Sequence, residues 1–250
     1  MLMTACHTDT ENHFAWKKAT ADKQVPLCGD KDSPRCSVHL EMHYAENAGD
    51  SQTATEINNA IEQHLLEMSD LTMQQAADSF AAQYAASYRR NLLPLYREDK
   101  GDPDKCPWYE YRYSIDTETA EGREGVAVYK ATVDYYEGGA HGINQLLTMN
   151  FDTQSGRLLR LQDVFVAGYE HRLNELLTDA LLKQTDCKSL DELRQKGYLY
   201  SMDMFAPENF VLGEDGITFV YNPYEIASYS VGKTELTIDY VDLEEILKKE

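Results

Sequence analysis

Two apolar segments that flank a glycine-rich turn constrain the fold of this chain most. Residues 126–135 and 143–151 are rich in aliphatic and aromatic residues, and three of the five residues 138–142 are glycine. Glycine adopts positive φ without strain, so such a segment can reverse the chain direction. The pattern predicts two strands joined by an irregular turn that carries His141.

Two helical patterns precede these strands. The sequences Thr53-x-x-Glu56 and Thr72-x-x-Gln75 match the capping box that begins many helices. The apolar residues that follow them at helical spacing are Ile57, Ile61, Leu65 and Met68 in the first pattern and Ala76, Phe80, Tyr84, Tyr88 and Leu92 in the second. We expect both stripes to face a core, and we expect Pro94 to end or kink the second helix.

Strand patterns lie on both sides of the helical patterns. In segment 38–44 apolar residues alternate with His39, Glu41 and His43, which is a weak signal for a metal site and is more typical of a solvated strand face. A tyrosine stripe, residues 109, 111 and 113, occupies one face of a later strand. Such a stripe can stack on sugars, but packing under a helix is its commoner use.

The order of these patterns predicts an α+β fold. Strands alternate or come in hairpins, helices come in runs, and a third helical pattern covers residues 169–181. We expect a mainly antiparallel sheet packed by two helices from the N-terminal half and one from the C-terminal half. The 250 residues are divided into a tether at 1–23, an α+β subdomain at 24–142 and a second α+β subdomain at 143–250.

The first residues predict where the protein resides. Residues 3–6, Met-Thr-Ala-Cys, resemble the end of a bacterial lipoprotein signal, so residues 1–23 are interpreted as a signal remnant and tether with Cys6 as the lipidation site. This predicts an extracytoplasmic, membrane-anchored lipoprotein in the periplasm or on the cell surface. The alternative is a cytoplasmic protein with a chance Ala-Cys pair. No run of about 18 apolar residues occurs, so membrane contact is expected only through the lipid.

The cysteine count agrees with an oxidising compartment. The chain has five cysteines, and without Cys6 an even number remains. Cys28 and Cys36 close a short, turn-rich loop, so we predict a disulfide between them. Cys106 and Cys187 are paired only by elimination.

Net charge limits the class of partner. The chain has 23 Lys and Arg against 43 Asp and Glu, giving −20 at pH 7. Such a surface repels nucleic acid phosphates and would attract a basic protein. Solubility explains the same charge without any partner.

An ordered series of short motifs resembles the RsiV-like domain family of unknown function. The series consists of Gly138-Gly139-Ala140-His141, Phe151-Asp152, Ser155-Gly156, Leu161-x-Asp163-x-Phe165, Asn209-Phe210 and Tyr224-Glu225-Ile226-Ala227 with Gly232. That family includes the extracellular part of an anti-sigma factor that senses lysozyme. Residues 24–142 also resemble the domain that precedes a peptidoglycan deacetylase.

The resemblance implies an extracytoplasmic α+β fold in a cell-envelope setting, with residues 143–250 as the RsiV-like subdomain. It does not imply catalysis, because the deacetylase chemistry belongs to a separate domain. Nor is the sensing role of the anti-sigma factor carried over whole.

His141 and Glu225 are the best candidates for a specific polar role, with Tyr224 and Tyr229 as aromatic binding residues. If the turns that carry them converge, His141, Glu225 and Tyr224 line one cleft, and a His–carboxylate pair serves metal binding or proton transfer. A structural network between the loops explains the same residues without catalysis. No GxSxG, HExxH or P-loop pattern is present, so we predict no catalytic residue, resident metal or cofactor.

Two functions remain as hypotheses. The first is a non-enzymatic, lipid-anchored binding module whose partner is a basic protein, such as a lysozyme-like enzyme, or an envelope glycan. The second is an envelope hydrolase or metal-dependent enzyme that uses His141 and Glu225.

Overall fold

The computed structural model describes residues 14–29, 32–47, 52–99 and 102–249. Within them, the larger sheet has the strands β1 (Phe14–Pro26), β2 (Arg35–Asn47), β3 (Tyr111–Glu121), β4 (Val126–Glu137), β5 (Ile143–Asp152) and β6 (Leu158–Leu159). The smaller sheet has the strands β7 (Phe210–Leu212), β8 (Gly216–Tyr221) and β9 (Thr234–Asp239). The helices are α1 (Thr53–Leu66), α2 (Met73–Glu98), α3 (Leu161–Val164), α4 (Glu170–Gln184), α5 (Leu190–Gln195), α6 (Tyr240–Leu243) and a 3-10 helix (Pro103–Tyr109).

The larger sheet confirms the predicted α+β class. Its strands lie in the order β1-β2-β3-β4-β5-β6, and every neighbouring pair is antiparallel except β2 and β3. A parallel pair needs a long crossover connection, and α1 and α2 supply it between β2 and β3.

One face of the larger sheet packs against α1 and α2. Buried residues of β4 on this face are Ala127, Tyr129, Ala131 and Val133, and they share a core with Ile57, Ile61, Ala76 and Ala77 from the helices. The predicted tyrosine stripe belongs to this core. The rings of Phe80 and Tyr84 lie 5.2 and 5.0 Å from that of Tyr113, which confirms packing under a helix.

The starts of the two helices differ from each other in their capping. Thr72 and Gln75 form the predicted capping box at the start of α2, and this helix continues through Pro94 to Glu98. Thr53 is not a cap: it is the first residue of α1, and its hydroxyl donates to the Gln154 carbonyl at 2.7 Å. The sequence pattern predicts that the Thr53 hydroxyl caps the helix, but in the structure it bonds to a carbonyl that is distant in the chain.

A second core lies between the smaller sheet and α4. Its buried residues include Leu173, Leu177 and Leu181 of α4 and Phe219 and Leu236 of the smaller sheet. Val126 and Val128 of β4 also belong to it, so the smaller sheet covers part of the face of the larger sheet that points away from α1 and α2.

The observed units depart from the predicted subdomain boundaries. Strand β1 begins at Phe14, inside the segment 1–23 that the sequence assigned to a tether. The boundary at 142 falls in the β4–β5 hairpin, whose strands pair from Val126 with Asp152 to Tyr135 with Ile143. Backbone hydrogen bonding therefore keeps β5 in the larger sheet, although the sequence assigned it to the second subdomain.

Neither predicted disulfide is formed in this structure, in which Cys36, Cys106 and Cys187 are free thiols. Cys36 points from β2 into the core under α2, and burial raises the pKa of its thiol to about 12. The sulfur of Cys28 lies 3.3 Å from the Ser33 hydroxyl in the loop. The predicted lipidation site, Cys6, lies outside the described residues. No helix among those residues has the length and apolar character needed to cross a membrane.

Candidate functional site

The open part of the larger sheet forms a polar cleft on the face that points away from α1 and α2. The cleft has a volume of about 690 Å³ and is lined by residues of five adjacent strands, β1 to β5. Strand alternation explains why polar side chains line it: the odd-numbered residues of β4 enter the helix-facing core, so Asp134 and Tyr136 point the other way.

A row of five polar side chains crosses the floor of the polar cleft. The strand registers place Asp22, His39, Ser114, Asp134 and Asn144 directly opposite one another in sequence from β1 to β5. The ring nitrogen Nδ1 of His39 lies 2.7 Å from the Asp22 carboxylate, and the Asn144 amide donates to Asp134 at 2.8 Å. The row therefore offers a sequence of hydrogen-bonding groups at strand spacing.

Two carboxylates beside the imidazole help to raise the pKa of His39. Asp22 is the closer, and the second, Asp116, lies 3.9 Å from Nε2 of the imidazole. The hydrogen bond to Asp22 is the main reason that the pKa of His39 lies above its ordinary value, and the charges of both carboxylates act in the same direction.

A second row lies beside the first. It consists of Gln24, Ser37, Arg112 and Tyr136, again placed opposite one another by the strand registers. The guanidinium carbon of Arg112 lies 5.3 Å from the centre of the Tyr136 ring, which is the geometry of a cation–π contact.

Three of the four predicted binding residues converge at the rim of the polar cleft. The rings of His141 and Tyr229 are stacked with their centres 3.8 Å apart, and the Tyr224 ring lies 5.6 Å from that of Tyr229. Tyr224 is 59% exposed and has a φ of 75°, a conformation that non-glycine residues seldom adopt. The two loops therefore present an aromatic cluster to solvent.

Hydrogen bonds join the same two loops. The Tyr224 hydroxyl lies 3.2 Å from Nε2 of His141, and the Tyr229 hydroxyl donates to the Gly142 carbonyl at 3.0 Å. The other ring nitrogen of His141 lies 3.1 Å from that carbonyl, which only a protonated Nδ1 can use. Either Nε2 of His141 or the Tyr224 hydroxyl can act as the donor in the contact between them, and the loop-to-loop network expected from the sequence is present.

Glu225 does not belong to this cluster. Its carboxylate accepts a hydrogen bond from the Asn222 backbone N–H at 2.8 Å, and it lines a separate cavity of about 270 Å³ that also contains His64 and Arg160. Burial raises the pKa of Glu225, and the Asn222 hydrogen bond opposes that shift. The structure therefore does not supply the His141–Glu225 pair on which the enzymatic hypothesis depends.

Sequence reasoning missed most of the cleft floor. The sequence points to His39 as a candidate, but it assigns no binding role to Asp22, Ser114, Asp134 or Asn144, because each is unremarkable on its own strand. Alternation predicted which face each residue occupies. The registers that bring the five together could not be read from the chain. Within the described residues, no group of three or more His, Cys, Asp or Glu side chains is arranged to hold a metal ion.

Comparison with known proteins relates the chain to two groups. Residues 162–241 match the family described as "Protein of unknown function (DUF3298)". The peptidoglycan-N-acetylmuramic acid deacetylase PdaC of Bacillus subtilis is 30% identical over 117 residues, which are 46% of this chain and 25% of that protein. The chain thus spans about a quarter of the length of this curated relative.

Solved structures share the whole fold. A crystal structure of a DUF3298 family member from Bacteroides fragilis is 28% identical, with a TM-score of 0.88 and coverage of 95% of both chains. A DUF3298 family protein from Pseudomonas aeruginosa is 20% identical, with a TM-score of 0.62 over 94% of both chains, and this likeness concerns the fold alone. Residues 162–241 therefore match a DUF3298 domain of unknown function, and 117 residues of the chain are related to a region of a peptidoglycan deacetylase.

Proposed function

We propose that this protein is an extracytoplasmic binding module of the bacterial cell envelope, and that its polar cleft binds an envelope glycan. The observation that carries the proposal is the cleft itself, in which rows of hydrogen-bonding side chains lie beside exposed, stacked aromatic rings. Sugars present hydroxyl groups at their edges and apolar C–H faces, so they match this combination. The volume of about 690 Å³ falls within the range of roughly 300–1,000 Å³ that is typical of ligand sites.

The relationship to a peptidoglycan deacetylase supports the proposed location in the cell envelope. Because the chain matches only 25% of that protein, the deacetylase activity is not transferred to it. The separation of Glu225 from His141 favours binding over a hydrolase that uses this pair.

Sedimentation with insoluble peptidoglycan tests the proposal. The wild-type protein should co-sediment, and Tyr229→Ala should weaken binding by roughly three- to tenfold, because an aromatic contact contributes about 0.5–1.5 kcal/mol beyond buried area. Tyr200→Ala is the matched control, since Tyr200 is 83% exposed and does not line the polar cleft. Absence of wild-type binding, or an equal loss in both variants, would reject the cleft as a glycan site.

A basic protein such as a lysozyme-like enzyme is the second candidate partner. The net charge of −20 and the resemblance to the RsiV-like family favour it. Opposite charges accelerate association, and this gain decreases with salt because the screening length is about 8 Å at 0.15 M ionic strength. Specific binding would additionally need an anchor, for which the exposed ring of Tyr224 is the best candidate.

Titration with lysozyme at two salt concentrations tests this second partner. Specific binding predicts an affinity that decreases with salt and with Tyr224→Ala, while an unrelated basic protein binds more weakly. No binding at low salt rejects the partner. Equal binding of the basic control, unaffected by Tyr224→Ala, would reduce the interaction to general charge attraction.

The lipid anchor is part of the same proposal. Residues 3–6, with Cys6 as the acceptor, motivate it, and the polar residues that follow would act as a tether. Fatty-acid labelling of the protein expressed in its own host should label the wild type and not Cys6→Ser. Label retained in Cys6→Ser, or absent from both, contradicts the anchor.

A further inference from the structure

Arg112 lies at the centre of the polar cleft without an acidic partner. It belongs to β3, with Ser37 opposite it on one side and Tyr136 on the other. Arg157, Arg172 and Arg194 each pair with a carboxylate, whereas no ion pair or hydrogen bond of Arg112 is found within the described ranges. The chain has 43 acidic residues, yet this exposed arginine in the cleft has no carboxylate partner. Its N–H donors are therefore available for a ligand.

The Tyr136 ring restricts how these donors are presented. A guanidinium over a ring has its face occupied by the cation–π contact, at 5.3 Å here, and its N–H groups remain available around its edge. The planar fork of arginine matches a carboxylate, to which it can donate two parallel hydrogen bonds. The ring thus orders the side chain before a ligand arrives, which reduces the entropy lost on binding.

The carboxylates of the cleft do not occupy the donors of Arg112. Asp22 is paired with His39 at 2.7 Å, and Asp134 accepts from Asn144 at 2.8 Å, both in the neighbouring row. Their remaining oxygen lone pairs accept hydrogen bonds from hydroxyl or amide donors and repel a carboxylate. The two rows therefore separate an acceptor side from a donor side, and a ligand that fits both carries hydroxyl or amide groups and one acidic group.

We propose that Arg112 binds the carboxylate of an acidic sugar and makes the polar cleft selective for an anionic glycan. This inference rests on the proposed glycan-binding function and specifies its ligand class. Within peptidoglycan, a muramic acid sugar from which the stem peptide has been removed carries such a free carboxylate, whereas the glucosamine sugar does not. The net charge of −20 opposes an anionic ligand only weakly, because distant surface charges are screened over about 8 Å at 0.15 M ionic strength.

Calorimetric titration with two matched probes tests the inference. The first probe is the tetrasaccharide of alternating N-acetylglucosamine and N-acetylmuramic acid, and the second is the same tetrasaccharide with its carboxylates converted to amides. Wild-type protein should bind the acidic probe about tenfold or more tightly than the amide, because hydrogen bonds to charged groups exceed neutral ones. Arg112→Gln should remove this preference, and Arg112→Lys should retain part of it through its charge.

Arg172→Gln is the control, since Arg172 lies on α4 and pairs with Glu175 at 3.4 Å. It should keep the wild-type preference. If wild-type protein binds both probes equally, or if Arg112→Gln still prefers the acid, the Arg112 inference is overturned and glycan binding stands. If neither probe binds the wild type and insoluble peptidoglycan also fails, the glycan function itself is rejected. The wild-type comparison needs no variant, so misfolding of one variant does not obscure the result.

Discussion

At the scale of single residues, Glu62 is the side chain whose environment suits its charge least. It lies on α1 and is fully buried, and its carboxylate oxygens have no hydrogen bond of regular geometry among the described protein groups. Burial raises the pKa of Glu62 above its ordinary value of 4.5, the nearby Leu71 amide opposes the shift, and the charge of Asp70 adds to it. Ionising a buried carboxylate that has so little hydrogen-bond support costs free energy, so Glu62 destabilises the fold wherever the pH leaves it charged.

Glu62→Gln should therefore raise the free energy of unfolding at pH 7 by roughly 1 kcal/mol. Because the folded pKa is raised, wild-type Glu62 loses stability as pH rises from about 4.5 through the folded pKa, and the variant does not. The gap between the two proteins should thus narrow as the pH falls to 4.5. Urea unfolding at both pH values measures it, and Glu56→Gln, an exposed position of the same helix, should show no such gain. A gap that does not depend on pH would contradict this account.

At the scale of elements, two asparagine side chains complete the open edge of β5. Asn209 accepts from the Thr148 backbone N–H and donates to the Leu146 carbonyl, each at 2.8 Å. Asn222 accepts from the Leu146 N–H at 2.8 Å. These amides replace the hydrogen bonds that a further strand would make, because β6 pairs only with the end of β5. They also hold the loop with Tyr224 and Tyr229 beside the polar cleft.

Asn209→Ala should consequently destabilise the protein by roughly 2–3 kcal/mol, since it leaves backbone groups of β5 without partners. Hydrogen exchange of the Thr148 amide should accelerate more than that of residues in the centre of the sheet. Asn91→Ala, at an exposed position of α2, is the control and should change stability by less than about 0.5 kcal/mol. Unchanged Thr148 exchange in Asn209→Ala would show that the edge does not depend on this side chain.

At the scale of the whole molecule, the two cores are coupled through β4. Ala127 and Tyr129 enter the core under α1 and α2, while Val126 and Val128 enter the core beneath the smaller sheet. A strand that contributes to both cores cannot unfold from one and remain folded in the other. We therefore expect one cooperative unfolding transition for the described units.

Leu177→Ala tests this coupling. Leu177 is fully buried in the second core, so its truncation should cost about 2–5 kcal/mol. Both tryptophans, Trp16 and Trp108, precede β4, so their fluorescence reports the unit built on the larger sheet. A cooperative molecule predicts that tryptophan fluorescence and far-ultraviolet circular dichroism shift together in this variant. Leu190→Ala, at a 43% exposed position, should shift neither. If the fluorescence transition of Leu177→Ala stays at the wild-type midpoint, the two units unfold independently and the coupling is contradicted.

The amino-acid sequence determined the type of most elements and the side on which their residues lie. Period-two alternation and four-residue spacing arise from local backbone geometry, so they are visible without the fold. For that reason the α+β class, the capping box at Thr72 and the burial of the tyrosine stripe under a helix were predictable. The glycines 138, 139 and 142 likewise marked the turn that carries His141.

Only the tertiary structure decided which of these residues meet. The row from Asp22 to Asn144 depends on four strand registers, and register is set by long-range pairing and packing. Long-range pairing also keeps β4 and β5 in one sheet, although the predicted subdomain boundary lies between residues 142 and 143. A long-range contact likewise directs the Thr53 hydroxyl to Gln154. Glu225 follows Tyr224 directly in the chain, yet it lines another cavity, because its carboxylate turns away and accepts a hydrogen bond from the Asn222 backbone N–H. Contacts between distant segments have no local signature, which is why the cleft became visible only in the folded molecule.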